Sequence, residues 1–71
     1  MSKYTIIIEK AGRNYSAFSP DVPGCVATGK TEEEATERMR EALEFHFEGL
    51  RESGEGIPER RAVVREIEVR A

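Results

Sequence analysis

Tryptophan is absent from this 71-residue sequence, and cysteine, histidine and aspartate occur once each, as Cys25, His46 and Asp21. One cysteine makes no intrachain disulfide, and one cysteine with one histidine completes no zinc site. The expectation is a reducing, cytoplasmic setting with no metal and no cofactor. A lone aspartate leaves any magnesium-binding cluster of carboxylates to scattered glutamates such as Glu9. A degenerate metal-dependent nuclease built on Glu9, Asp21 and further glutamates therefore finds little support. No run approaches the roughly 20 apolar residues of a membrane span. The N-terminal stretch also lacks the charged start, apolar middle and small-residue cleavage site of a signal peptide. The glycines stand singly and form neither a dinucleotide fingerprint nor a phosphate loop. No Ser-His-Asp or Cys-His pairing is legible, so no enzyme activity is expected.

What is present is the composition of a small globular protein, 38% hydrophobic and 35% charged. We expect one domain over residues 1–71. A chain of this size buries only about 60% of the surface its unfolded form exposes. With neither disulfide nor metal to reinforce a thin core, self-association is the expected further source of stability, as a homodimer or tetramer. The net charge of −3 opposes sequence-independent phosphate contacts, so direct nucleic-acid binding is not expected.

Tyr4 to Lys10 is rich in β-branched and aromatic residues, and after Ala11-Gly12-Arg13-Asn14 comes a second such run, Tyr15 to Phe18. This predicts a hairpin. Ile6, Ile7 and Ile8 are consecutive, which points to a central strand covered on both faces. Ser19 to Gly24 carries loop chemistry, with Pro23-Gly24 suited to the middle of a type II turn. A third strand is expected over Cys25 to Thr28. Thr31 with Glu34 three residues later is a capping box, and the helix it opens is expected to run from about Thr31 to Ser53 and stop at Gly54. Ala35, Met39, Ala42, Leu43, His46 and Leu50 fall on one helical stripe facing the sheet. His46 thus reads as a hydrogen-bonded core histidine rather than a catalyst, and Cys25 as a small, inert core thiol. Gly49 borders that stripe and marks either a close approach of helix to sheet or a simple loss of helix stability. Val63 to Val69 alternates well enough for a last strand, parallel to the first through a right-handed crossover.

The resulting expectation is an α+β two-layer domain in the order β-β-β-α-β. It has a three-stranded antiparallel sheet, a C-terminal strand and one helix on one face. A single helix covers one face only, so side chains such as Ile7 are left for a second chain to cover.

Charge is polarised. The helix has eight glutamates against Arg38, Arg40 and Arg51, −8 + 3 = −5, leaving +2 for the rest. At about 100° per residue, Glu33, Glu37, Glu41, Glu44 and Glu48 share a stripe roughly 80° wide opposite the apolar one. Like charges four residues apart each cost a helix a few tenths of a kcal/mol. The stripe is either a solvated face or an acidic ridge that steers a basic partner.

Two stretches, Ser19 to Ala35 and Glu41 to Pro58, resemble the HicB-like antitoxin family. The matching residues, in order and spacing, are Pro23-Gly24-Cys25, Gly29-Lys30-Thr31, Glu33-Glu34-Ala35 and Ile57-Pro58. Arg60 stands where the family often has a second proline. The resemblance implies a partial ribonuclease-H-like fold without the nuclease's metal-binding acids. It also implies a partner, a small basic HicA-type toxin that cleaves messenger RNA and whose active site the antitoxin blocks. Many members append a C-terminal DNA-binding module. Here Ala71 leaves room only for the last strand, so operator binding is not expected.

Overall fold

The computed structural model describes residues 2–71, and Met1 lies outside them. Three strands, β1 (Ile7–Ala11), β2 (Asn14–Ser19) and β3 (Val22–Gly29), are followed by one helix, α1 (Glu32–Glu52). The strands form one antiparallel sheet in the order β1-β2-β3. The α+β class and the hairpin therefore hold. Gly12, at φ 63°, opens the two-residue turn between Ala11 and Asn14, a backbone conformation glycine reaches without a Cβ clash.

β3 starts earlier than the sequence predicts, and Pro23-Gly24 is not the tip of a loop. Ser19 pairs with Val22 and Phe18 with Val26, so Pro23, Gly24 and Cys25 stand out of the ladder as a bulge. Gly24, at φ 83°, supplies the backbone twist that the bulge needs. The tight turn is instead Pro20-Asp21, where proline presets φ.

The helix starts and stops where the sequence places it. Thr31 is its N-cap, and its hydroxyl accepts the Glu34 N–H at 3.0 Å. The Glu34 carboxylate reaches back to the N–H of Lys30 at 2.9 Å, one residue before the cap. At the far end, the N–H groups of Gly54 and Glu55 bond the carbonyls of Arg51 and Leu50, with Gly54 at φ 75°. This is a Schellman closure.

The core is Ala17, Val22 and Cys25 from the sheet with Ala35, Met39, Leu43 and Phe47 from α1. The buried helical residues recur every four positions, a row that drifts about 40° per step, so the helix crosses the sheet obliquely. Phe47 is the residue this drift brings inward, and Tyr4 packs on it with ring centroids 5.0 Å apart. His46, expected at the centre of the stripe, is only half-buried, and no hydrogen bond to its side chain is found among the described residues. The close approach is not at Gly49, whose missing Cβ would meet nothing within 4 Å. It is at Gly29, where a Cβ would fall 2.9 Å from the Cα of Ala35, against the first turn of the helix.

Residues 57–71 contain no strand, and β1 is an edge rather than a central strand. The expected C-terminal strand therefore does not form here. The segment is nevertheless tied down at its root. Ile57 packs on the core, and the Tyr4 hydroxyl donates to the Pro58 carbonyl. The Asp21 carboxylate accepts the N–H groups of Arg61 and Ala62, each at 3.0 Å. Beyond Ala62 every residue is exposed.

Candidate functional site

The helix and the uncovered sheet face give the molecule two chemically different surfaces. On α1, Glu33, Glu37, Glu41, Glu44 and Glu48 are all exposed. At about 1.5 Å per residue the ridge they form is about 22 Å long. Glu37 pairs with Arg40 at 3.1 Å, and Arg38 reaches Glu34, outside the ridge, at 3.6 Å. Among the described residues Glu33, Glu41, Glu44 and Glu48 have no ion pair. The ridge is thus largely uncompensated, which keeps its field available to an approaching cation.

Phe45 stands on the flank of this ridge, one turn from both Glu41 and Glu48, and is 80% exposed. A helical aromatic in water gains nothing from the helix's own fold. With Val26, 66% exposed, and Gly49 it edges a groove of about 450 Å³ between β3 and α1, where Ala42, His46 and Leu50 lie deeper. Sequence reasoning did not single out Phe45. The signal was available: an apolar ring at a position that the helical period assigns to solvent.

The second surface is the sheet face away from α1. Ala17 faces the helix and pairs with Ile8 and Ala27, so by alternation their neighbours point outward. Ile7, Phe18 and Val26 are successive partners across β1, β2 and β3 and form one apolar row, which Val26, on the edge strand, carries round to the rim of the groove beside α1. Ile7, predicted to be left for a second chain, is half-buried and lies at one end of that row. The row and the ridge lie on opposite layers, so the fold does not join Ile7 and the five glutamates into one patch.

The other motif residues are structural. Pro23 and Gly24 form the bulge, Gly29 admits the helix, and Thr31 and Glu34 start it. Pro58 roots the following segment through its carbonyl. Cys25 is buried, and burial pushes its thiol above the usual value. Asp21, the aspartate a nuclease would need, spends its carboxylate on two backbone N–H groups. Among the described residues no three histidine, cysteine or carboxylate side chains gather into a metal-binding group. None of the described helices is long and apolar enough to cross a membrane.

A half-covered sheet, an anionic helix and an exposed aromatic at their junction define a small two-layer α+β protein whose chemistry lies on open faces. The chain belongs to the HicB-like antitoxin family of bacterial toxin–antitoxin systems, whose model matches residues 4–69. It is 46% identical over 55 residues to an uncharacterised 14.9 kDa protein of Haemophilus phage HP1, covering 78% of this chain and 41% of the phage protein. The chain thus spans about two fifths of that relative. A UPF0150 protein of Thermoplasma acidophilum is 40% identical over 57 residues, 79% of this chain and 83% of that one. A UPF0150 protein of Synechocystis is 33% identical over 67 residues, 93% and 85% of the two chains. No solved structure matches the chain.

Proposed function

We propose that this chain acts in the cytoplasm, as one domain and a homo-oligomer, to bind and neutralise a small basic HicA-type toxin that cleaves messenger RNA. Neutralisation is by covering. The antitoxin occupies the toxin's cationic, RNA-binding surface and makes or breaks no bond itself. The observation that carries this reading is the acidic ridge of Glu33, Glu37, Glu41, Glu44 and Glu48, mostly without ion pairs and flanked by exposed Phe45. Anionic groups accelerate and orient the encounter with a basic partner, while a buried aromatic supplies the lasting affinity. Membership of an antitoxin family supports the role. The expected partial ribonuclease-H-like architecture draws support from the order of three strands and a helix.

The test is capture of a small basic ribonuclease encoded beside this chain. Reversal of Glu37, Glu41, Glu44 and Glu48 to lysine should slow association, most strongly at low salt. Phe45→Ala should speed dissociation with little salt dependence. Capture unchanged in both variants would remove this face from the interface. A second reading, an orphan oligomeric binding domain without a cognate toxin, draws on the apolar row Ile7, Phe18 and Val26, which suits a self-contact as well as a foreign one. The absence of any small basic reading frame beside the gene would favour it.

A further inference from the structure

Gly49 is the one glycine inside α1, and no close contact within the fold accounts for it. A helical glycine costs about 1 kcal/mol relative to alanine, yet a Cβ here would meet nothing within 4 Å. The space beside it belongs to the groove between β3 and α1, and so does the space at Gly24, whose Cβ would also meet nothing. The groove is therefore bordered by two residues without side chains, one in the bulge and one in the helix. Its walls end in Phe45 and Val26, apolar groups that the fold itself leaves in water. His46 lines it as well, its imidazole without a hydrogen bond among the described residues. Along the helix flank beside Phe45 run Glu41, Glu48 and Glu52, with Glu55 at the end of the groove. None of these four has an ion pair among the described residues, whereas Arg38, further back on the same flank, is paired with Glu34. At about 1.5 Å per residue the rim from Glu41 to Glu52 is about 16 Å long, the reach of about five extended residues.

We infer that this groove receives one apolar side chain, of leucine or phenylalanine size, from an extended segment of a partner protein with lysine or arginine on both sides of it. Gly49 is the residue that decides what fits, because any side chain at that position projects into the space the occupant needs. The apolar walls select against a charged group in the groove itself, since a cation buried away from water without a partner is costly. The rim selects for cations immediately outside it, where four unpaired carboxylates await them. A small molecule matches the groove but not a rim of that length, and an anionic lipid or nucleic-acid surface is repelled by the rim's charge. The His46 imidazole is left to bond a backbone group of the segment, as an unpaired polar group beside an apolar site must on being covered. An apolar anchor in a pocket with charges around it gives affinity from the anchor and orientation from the charges. The inference rests on the basic partner proposed above and adds which part of that partner enters. It also offsets the helix cost of Gly49, which stability of this chain alone does not explain.

Mapping of amide chemical shifts on the full chain tests it with two capped peptides, Lys-Arg-Leu-Arg-Lys and the same peptide with serine in place of leucine. The leucine peptide should shift the amides of Val26, Phe45, His46 and Gly49. It should bind about tenfold or more tighter than the serine peptide, the difference that burial of one leucine side chain makes. The serine peptide should move only amides along the acidic rim, an effect lost at high salt. Gly49→Leu replaces a helical glycine where the fold has room, so it should be no less stable than the native chain in urea and yet lose the groove shifts. Equal responses to the two peptides, groove shifts that persist in Gly49→Leu, or no response to either peptide would overturn the inference. Inhibition of the adjacent basic ribonuclease is a separate readout. Groove shifts without inhibition would remove the toxin reading and keep the groove, whereas inhibition undiminished by Gly49→Leu would remove the groove and keep the toxin reading.

Discussion

At the scale of single residues, the two glycines flanking the helix–sheet contact make opposite predictions. Gly29→Ala places a Cβ against the backbone of Glu34 and Ala35, both within 2.9 Å, where neither a rotamer change nor a side-chain shift relieves it. It should cost about 2 kcal/mol in urea denaturation. Gly49→Ala adds a methyl into open space inside a helix. It should stabilise the protein by about 0.5–1 kcal/mol. Sequence spacing offers Gly49 either a close approach, because it borders the apolar stripe, or a simple loss of helix stability, and the open space around it fits the second. The oblique crossing of α1 moves the contact to its N-terminal turn, which periodicity alone does not reveal. Cys25 predicts a pH effect. Burial raises its thiol pKa above the ordinary 9.0, so the folded state favours the protonated form. Its contribution is complete below pH 9.0 and declines as pH rises beyond it, when the unfolded chain ionises first. The difference in denaturation midpoint between the native chain and Cys25→Ala should be constant below pH 9.0 and shift against the native chain as pH rises beyond it. Alkylation of the native thiol should be slow until denaturant is added.

At the scale of elements, the helix ends were legible because their chemistry is local. Thr31 and Glu34 announce the start and Gly54 the stop, and each makes the backbone bonds its type permits. Thr31→Ala should cost about 1 kcal/mol and fray the first turn, read as faster exchange of the Glu34 amide. The strands were less legible. The start of β3 depends on a bulge, where Pro23 and Gly24 have the composition of a turn and the position of a strand. The predicted last strand has the right alternation, but a strand needs an edge to pair with, and alternation does not say whose. Asp21 shows the same limit. A sequence reading weighs it as a metal ligand, whereas the fold uses it to hold Arg61 and Ala62, 40 and 41 residues further along the chain. Asp21→Ala should leave two N–H groups without their acceptor at a cost of about 1–2 kcal/mol. The amides of Arg61 and Ala62 should then exchange with solvent much faster.

At the scale of the whole molecule, this small core is closed on one side and open on the other. The helix seals Ala17, Cys25, Met39 and Leu43, while Ile7, Phe18 and Val26 remain on a bare sheet face. Such a molecule gains stability and function together by being covered. Dilution should therefore lower its melting temperature, a dependence that a self-sufficient monomer lacks. The polarity of charge was visible in the sequence as a run of glutamates, and the structure adds that four of the five ridge carboxylates lack an ion pair among the described residues. Phe45 beside them was hidden because it opens the run Phe45-His46-Phe47, of which Phe47 turns into the core and Phe45 into solvent.

The most direct measurement is titration of a purified cognate HicA-type ribonuclease, held at fixed concentration with labelled RNA, against the purified chain. Cleavage should fall linearly to zero at a fixed molar ratio, and the chain alone should cleave nothing. Undiminished cleavage at excess chain, or RNA turnover by the chain itself, would contradict an account in which this protein acts by covering its partner.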